Sequence, residues 1–153
     1  MKKFTTWTMT LILILSLAAC GGKSRSVLYT LSQEKDGLKL TDAMKLDAKG
    51  DAVQKMEETI TLDMSAFDED TQKLMTEAYD SLAQSYQAVD GVECTGTVTD
   101  GVYTIKVMIN AEGDTVAKLA EQGLLQVDGD PEGISLEKTG AALEKSGYKK
   151  AEQ

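Results

Sequence analysis

The chain has 153 residues, with 25 Asp and Glu against 16 Lys and Arg, two cysteines and no histidine. The net charge of −9 argues against nucleic acid as a partner, because a basic surface supplies most of that affinity. The absence of histidine excludes Ser-His-Asp and Cys-His catalysis and zinc sites of the HExxH type. Two cysteines are too few for a disulfide framework or a Cys₄ zinc site. A hydrophobic content of 42% is enough for the core of one ordinary domain.

The first 20 residues have the pattern of a bacterial lipoprotein signal. Two lysines follow the initial Met, an apolar run starts at Met9, and Leu17-Ala18-Ala19-Cys20 ends the segment. The run is too short to span a bilayer permanently, which favours a signal peptide over a transmembrane helix. We therefore expect residues 1–19 to be removed and the thiol of Cys20 to carry diacylglycerol. An ordinary signal peptide with an accidental cysteine is the alternative.

This signal predicts the location of the protein and its domain boundaries. We expect a lipid-anchored protein on the extracytoplasmic face of the cell membrane, with membrane lipid as its partner through Cys20. Residues 20–26 are predicted to be the lipidated cysteine and a short tether, and residues 27–153 a single domain. Cys94 has no CxxC partner to favour a thiolate, so we expect a small buried hydrophobe.

Residues 27–64 predict a three-stranded antiparallel meander. Asp36-Gly37 is typical of a two-residue type I′ turn, which pairs Leu31 with Asp42. Three segments alternate with period two, and their apolar positions share one face. These positions are Val27, Tyr29 and Leu31, then Leu38, Leu40, Met44 and Leu46, then Met56, Ile60, Leu62 and Met64.

The second turn of the meander, Lys49-Gly50-Asp51, brings two carboxyl groups together. A three-residue loop pairs Met44 with Met56 and places Asp42 opposite Glu58 on the otherwise apolar face. Opposed carboxylates are destabilising unless they are protonated, metal-bound or solvated. The pair is a candidate shared-proton or cation site. A bulge that turns one side chain outward, or an uncovered end of the sheet, is the structural alternative.

A helix and a second hairpin follow the meander. The helix is predicted to open at residues 65–70 and to run to about Val89, with Asp68, Glu69 and Asp70 as capping residues rather than cation ligands. Asp100-Gly101 is a two-residue turn that pairs Val98 with Tyr103 and Gly96 with Ile105. Gly96 leaves room for a neighbouring side chain or marks a bulge. The apolar stripe of the helix is Leu74, Met75, Ala78, Tyr79, Leu82 and Tyr86, with both tyrosines toward the sheet.

The C-terminal third contains two more predicted helices and an acidic loop. A short helix follows Asp114 and ends at Gly123. The loop Asp128-Gly129-Asp130-Pro131-Glu132-Gly133 matches the first half of an EF-hand pattern, but Thr139 stands where the bidentate Glu belongs, so a polar turn is predicted. The last helix starts at Ser135 and closes at Gly147 in a Schellman turn. Lys149 and Lys150 then suit the negative end of its dipole.

Three of these segments together resemble the YehR-like bacterial lipoproteins, a family of unknown function. They are the lipobox at residues 17–21, the strand-to-helix junction at residues 61–65, and the final helix with its closing turn at residues 133–148. The order of the elements between them agrees, so the resemblance covers essentially the whole mature chain. It implies a small α+β lipoprotein domain and carries no catalytic or binding residues.

The fold class predicted from these elements is α+β, an antiparallel sheet of the meander plus the second hairpin packed against helices. For function, the anchor and the lack of a nucleophile–base constellation favour a non-enzymatic binding or envelope-associated domain, without cofactor, metal or nucleic acid. The alternative is a hydrolase of a cell-envelope glycan, which needs two carboxylates about 5–10 Å apart in a cleft, with Asp42 and Glu58 as candidates. A solute-binding receptor ranks last, since the chain is short for two lobes.

Overall fold

A computed structural model describes residues 11–13, 22–127 and 133–151 of the chain. The elements are β1 Leu11–Leu13, β2 Ser24–Lys35, β3 Leu38–Lys49, β4 Ala52–Asp63, α1 Glu69–Gln87, β5 Val92–Thr99, β6 Val102–Asn110, α2 Thr115–Glu121, β7 Leu125–Val127, α3 Leu136–Lys145 and β8 Lys149–Lys150. Six of the strands form one antiparallel sheet in the order β5-β6-β4-β3-β2-β8, and β1 pairs separately with β7 in parallel. The predicted α+β class is confirmed.

Two of the three predicted hairpin registers are correct. Leu31 lies opposite Asp42, and Val98 lies opposite Tyr103. Both turns place an Asp and a Gly in the left-handed region, with φ of 53° and 87° at Asp36-Gly37 and 51° and 77° at Asp100-Gly101. Positive φ at both central residues defines the type I′ turn, whose twist matches that of the strands.

The register predicted between β3 and β4 is wrong by two residues. Met44 pairs with Glu58 and Asp42 pairs with Ile60, whereas the prediction placed Asp42 opposite Glu58. The turn uses two residues rather than three, and a bulge follows Asp47. Because a shift of two residues preserves the side-chain alternation, the apolar positions still face the core.

The predicted tether is too long at its C-terminal end. Strand β2 begins at Ser24, so residues 24–26 pair with β3 instead of linking the domain to Cys20. Arg25 supports this extension, since its Nε donates a 3.1 Å hydrogen bond to the carbonyl oxygen of Gly50. Cys20 and the predicted cleavage site lie outside the described residues.

Helix α1 packs on β5 and β6 through one side. Tyr79 stacks obliquely on Tyr103, with ring centroids 5.6 Å apart, and Tyr86 is buried against the sheet. The prediction for both tyrosines is confirmed. Leu74 is 69% exposed and Ala78 is also exposed, so the predicted stripe is wrong at these two positions. They lie one step of about 100° away from the face that Met75, Tyr79 and Tyr86 share.

Space for Tyr103 comes from the glycine opposite Ile105. A Cβ atom at position 96 would collide with the Tyr103 hydroxyl, which donates a 2.7 Å hydrogen bond to Asp80 Oδ1. Of the two roles predicted for Gly96, the structure shows the first: it leaves room for a neighbouring side chain, that of Tyr103.

The β3–β4 turn holds the N-terminus of α3. Asp51 accepts hydrogen bonds from the Ser135 hydroxyl at 2.6 Å and from the backbone N–H of Glu137 at 2.8 Å. Ser135 is the N-cap, and its Oγ accepts from Lys138 N–H. The Schellman turn is also confirmed, because the Tyr148 N–H reaches the carbonyl of Leu143.

The last two lysines, which were predicted only to follow the closing turn of α3 and to suit its dipole, belong to the sheet. Lys149 and Lys150 form the edge strand β8, paired with Thr30 and Tyr29. The Schellman turn reverses the chain toward the β2 edge, where free backbone groups are available for pairing. Among the helices described, none has the length and hydropathy to cross a membrane.

Candidate functional site

Asp42 and Glu58 lie on the helix-covered face of the sheet, on the adjacent strands β3 and β4. Asp42 is 2% exposed and Glu58 is 6% exposed. Since Asp42 pairs with Ile60, the two acids are diagonal neighbours, which still lets their side chains touch. The two carboxyl groups interact directly, because each changes the pKa of the other. Two charged carboxylates side by side in the core would repel each other, so the buried pair favours a proton on one of the two groups.

Tyr148 supplies a third member of this buried cluster. Its hydroxyl donates a 2.6 Å hydrogen bond to Asp42 Oδ2, while Asp42 Oδ1 has no hydrogen-bond partner among the described residues. Burial, the neighbouring charge of Asp42 and the bond between them raise the pKa of Glu58 well above its usual value. Burial also raises the pKa of Asp42, although the bonds from Tyr148 and Glu58 oppose the rise. The pair therefore keeps a proton at a pH where an exposed carboxyl group has lost it.

The surroundings of the pair favour a single negative charge. Neither carboxyl group has a salt bridge to a Lys or Arg in the part of the chain that is described. Burial, together with the negative charge that Glu58 carries when ionised, raises the pKa of Cys94 to about 11. The same two causes raise the pKa of Tyr86. Cys94 is thus a buried, protonated thiol, as predicted, and not a nucleophile.

This arrangement fits the shared-proton interpretation better than catalysis or cation binding. Glycoside hydrolysis requires accessible carboxylates about 5–10 Å apart, whereas Asp42 and Glu58 are buried in contact. The described residues contain no group of three His, Cys, Asp or Glu side chains arranged to hold a metal. Asp68 caps α1 by accepting from Thr71 N–H at 2.9 Å. The Asp128–Glu132 loop, like Cys20, lies outside the described residues.

The opposite face of the sheet is open and carries two rows of side chains, one made only of Ser and Thr and the other of Thr, Lys and one Ala. Consecutive members of each row pair across adjacent strands, about 4.8 Å apart, and we call the two rows the hydroxyl band. The first row is Ser32, Thr41, Thr61, Thr104 and Thr97, and the second is Lys149, Thr30, Ala43, Thr59, Lys106 and Thr95.

The charges on this open face are distributed unevenly. Beside the band, Lys45 contacts Asp47 at 3.2 Å and Glu57 at 3.7 Å, and Lys55 contacts Glu57 at 2.7 Å. Within the band, Lys106 and Lys149 have no carboxylate partner among the described residues. The band therefore presents hydroxyl groups and two ammonium groups, whereas three carboxylates without a salt bridge among the described residues lie on the same face outside the rows, at Glu34, Asp63 and Glu93.

A depression of about 390 Å³ lies over the part of the band nearest β8. Ala43 forms its low floor between Thr30 and Thr59, with Lys149 at its edge. Asp42 lines it through the backbone alone, because its side chain alternates to the other face. Each hydroxyl in the depression can both donate and accept a hydrogen bond.

The sequence interpretation did not identify the hydroxyl band. Its signal is the recurrence of Ser or Thr at alternate positions, as in Thr30-x-Ser32, Thr59-x-Thr61 and Thr95-x-Thr97. Polar residues at outward strand positions are expected in any half-exposed antiparallel sheet, so each segment alone is uninformative. Their alignment into rows becomes visible only when the strand order and registers are known.

The fold and its two unlike faces define a small α+β domain built on one antiparallel sheet. Residues 25–149 match the family described as "Protein of unknown function (DUF1307)", and the chain belongs to this family.

The chain is similar in sequence to one known lipoprotein and similar in fold to one solved structure. The uncharacterized lipoprotein Lmo0207 of Listeria monocytogenes is 29% identical over 159 residues, which cover 97% of this chain and 95% of the relative. The NMR structure of the Escherichia coli YehR protein superposes with a TM-score of 0.61 at 22% identity, over 86% of this chain and 93% of that one. The YehR-like resemblance inferred from the sequence is confirmed, and the structural match shows a shared fold.

Proposed function

We propose that the protein is a lipid-anchored, extracytoplasmic binding domain of the cell envelope that acts without catalysis. The asymmetry of the sheet carries this proposal. One face is covered by helices and encloses the core, whereas the other face leaves the hydroxyl band and its depression open. An open face with many hydrogen-bonding groups suits non-covalent recognition of a polar ligand.

The anchoring part of the proposal rests on Cys20. The lipobox pattern at residues 17–21 and the similarity to a Listeria lipoprotein support lipidation at this cysteine. Strand β2 begins at Ser24, and four extended residues span at most about 14 Å. A domain anchored at Cys20 would therefore lie directly beside the lipid surface.

The non-enzymatic part rests on the separation of the carboxyl pair from the open face. Asp42 and Glu58 point into the core, while the depression lies on the other side of the same strands. The sheet backbone stands between them, so a ligand held in the depression cannot reach either carboxyl group. This geometry removes the pair as the catalytic machinery of the hydrolase alternative.

Membrane fractionation combined with protease treatment of intact spheroplasts tests the proposal. We expect the full chain, expressed in a bacterial host, to stay with the membrane after a high-salt wash and to be digested by external protease. Cys20→Ala should block the lipoprotein-type cleavage and so run as the larger precursor, whereas Cys94→Ser should behave like the wild type. Protection of the domain from external protease, or release of the wild type by salt, would contradict the proposal.

A further inference from the structure

We propose that the hydroxyl band is the binding site for an anionic, polyhydroxylated polymer chain. This inference deepens the proposed function and rests on it for the setting in which such a polymer is met. It is carried by three features: the alignment of the hydroxyl rows, the two lysines within them that have no carboxylate partner among the described residues, and the carboxylates that flank the rows.

The alignment of the rows favours a linear ligand that crosses the strands. From Ser32 on β2 to Thr97 on β5 the first row spans four strand spacings, or about 19 Å. A chain lying along this row meets a hydroxyl group at every strand. Because each hydroxyl both donates and accepts, the row complements a polymer that carries hydroxyl groups of its own. The depression over Ala43 lowers the surface where such a chain would enter.

The lysines add a requirement for negative charge on the ligand. Lys149 and Lys106 stand in the second row, separated by Thr30, Ala43 and Thr59, and so by about 19 Å of sheet. Two ammonium groups at this separation suit anions spaced along a chain better than a single compact anion. Carboxylates and phosphates both meet this requirement.

The rest of the molecule restricts such a ligand to the band. On the same face, Lys45 and Lys55 engage the carboxylates of Asp47 and Glu57. Three further carboxylates flank the rows without a salt bridge among the described residues, and they repel an anionic chain that leaves the rows: Glu34, Asp63 and Glu93. The chain as a whole carries a net charge of −9, which also opposes binding of a polyanion outside the band. Binding should therefore be local, of modest affinity and sensitive to salt.

Binding of defined polymers to the detergent-solubilised full chain tests this inference. The probes are polygalacturonate, which carries carboxylates, poly(glycerol phosphate), which carries phosphates, neutral dextran, and polyglutamate, which is anionic but lacks hydroxyl groups. We expect saturable binding to one or both anionic polyols and much weaker binding to dextran and polyglutamate. The preferred anionic polyol identifies whether carboxylate or phosphate is the anion recognised.

Matched variants locate the site. Lys106→Ala and Lys149→Ala should each weaken binding roughly two- to fivefold, the range for an exposed ion pair, and should reduce the salt dependence. Lys73→Ala removes the same charge from an exposed position on α1 and should leave binding unchanged. Thr61→Val removes one hydroxyl from the first row at nearly constant volume and should also weaken binding.

Two results would overturn the inference. One is equal binding of polyglutamate and the anionic polyols, which would reveal a general charge effect. The other is an equal loss of affinity in Lys73→Ala and Lys106→Ala. Since the assay uses purified protein, failure of polymer binding with normal anchoring in spheroplasts overturns only this inference. Normal binding by a protein that is not anchored overturns only the proposed location.

Discussion

The hydroxyl of Tyr148 lies 2.6 Å from Asp42 Oδ2 and joins residues that are 106 positions apart in the chain. Tyr148 directly follows the turn that closes α3, and Asp42 lies in the interior of β3. Glu58, on the adjacent strand β4, lies beside the Asp42 carboxyl group. The last segment of the chain is thus attached to the sheet through a buried, proton-sharing pair.

Removal of this hydroxyl should destabilise the fold. Tyr148→Phe leaves a buried oxygen of Asp42 without its donor, which costs about 1–3 kcal/mol of unfolding free energy. Urea denaturation measures the loss. Tyr79→Phe is the matched control, because the Tyr79 hydroxyl has no hydrogen bond to any described residue, and this variant should change stability little. Equal losses in the two variants would contradict a specific role for the Tyr148 bond.

The free energy of unfolding should fall as the pH rises, because Glu58 has a raised pKa in the folded state. Folding raises the pKa of Glu58, so the native state binds this proton more tightly than the unfolded chain does. The contribution of Glu58 to the free energy of unfolding is at its full value below pH 4.5, the ordinary pKa of this group. It is lost as the pH rises through the raised pKa of the folded state.

Two neighbouring glutamates provide the test of this pH dependence. Glu58→Gln replaces one carboxyl group of the proton-sharing pair with an amide that cannot ionise, and the fall in unfolding free energy with pH should flatten. Glu57→Gln changes the adjacent residue on the open face and should leave the fall in place. Chemical denaturation at a series of pH values measures both. A slope that Glu57→Gln alone removes would show that the pair is not its source.

The cap of α3 should contribute measurably to stability. Ser135→Ala removes the acceptor of Lys138 N–H and the donor to Asp51, and we expect a loss of about 1–2 kcal/mol in thermal or urea unfolding. Ser146→Ala changes the same residue type at the other end of the helix, where the helix is closed by backbone bonds. It should be nearly neutral, and a loss as large as that of Ser135→Ala would contradict the capping role.

The absence of a side chain at Gly96 should matter because of Tyr103. Gly96→Ala forces its methyl group against the tyrosine hydroxyl, with an expected cost of about 1–3 kcal/mol. Combining it with Tyr103→Phe removes the hydroxyl that collides, so the double variant should lose less stability than the sum of the two single variants. Additive losses in this double-mutant cycle would contradict the close packing of these two residues.

Local patterns were sufficient for most of the architecture. The Asp-Gly pairs at positions 36–37 and 100–101 determine turn type and register together, since a type I′ turn admits one pairing of the flanking strands. The caps of α1 and α3 are likewise local, because each depends on residues within one helical turn.

Features that depend on distant segments were not predictable in this way. The bulge beside Asp47 changed the β3–β4 register, and the pairing of β8 with β2 required a strand edge more than a hundred residues earlier. The carboxyl pair was nevertheless anticipated, because a two-residue shift keeps both acids on one face. The partner Tyr148 was not anticipated, since nothing local links it to Asp42.

Lipid anchoring at Cys20 can be measured by mass spectrometry of the N-terminal tryptic peptide from membrane-extracted protein. We predict a peptide that begins at Cys20, ends at Lys23 and carries diacylglycerol on its sulfur. After denaturation, a thiol-alkylating reagent should modify Cys94 and not Cys20. Two results would contradict lipidation at Cys20. One is a peptide from the same membrane fraction in which Cys20 is a free, alkylatable thiol, and the other is a mature chain that starts at another residue.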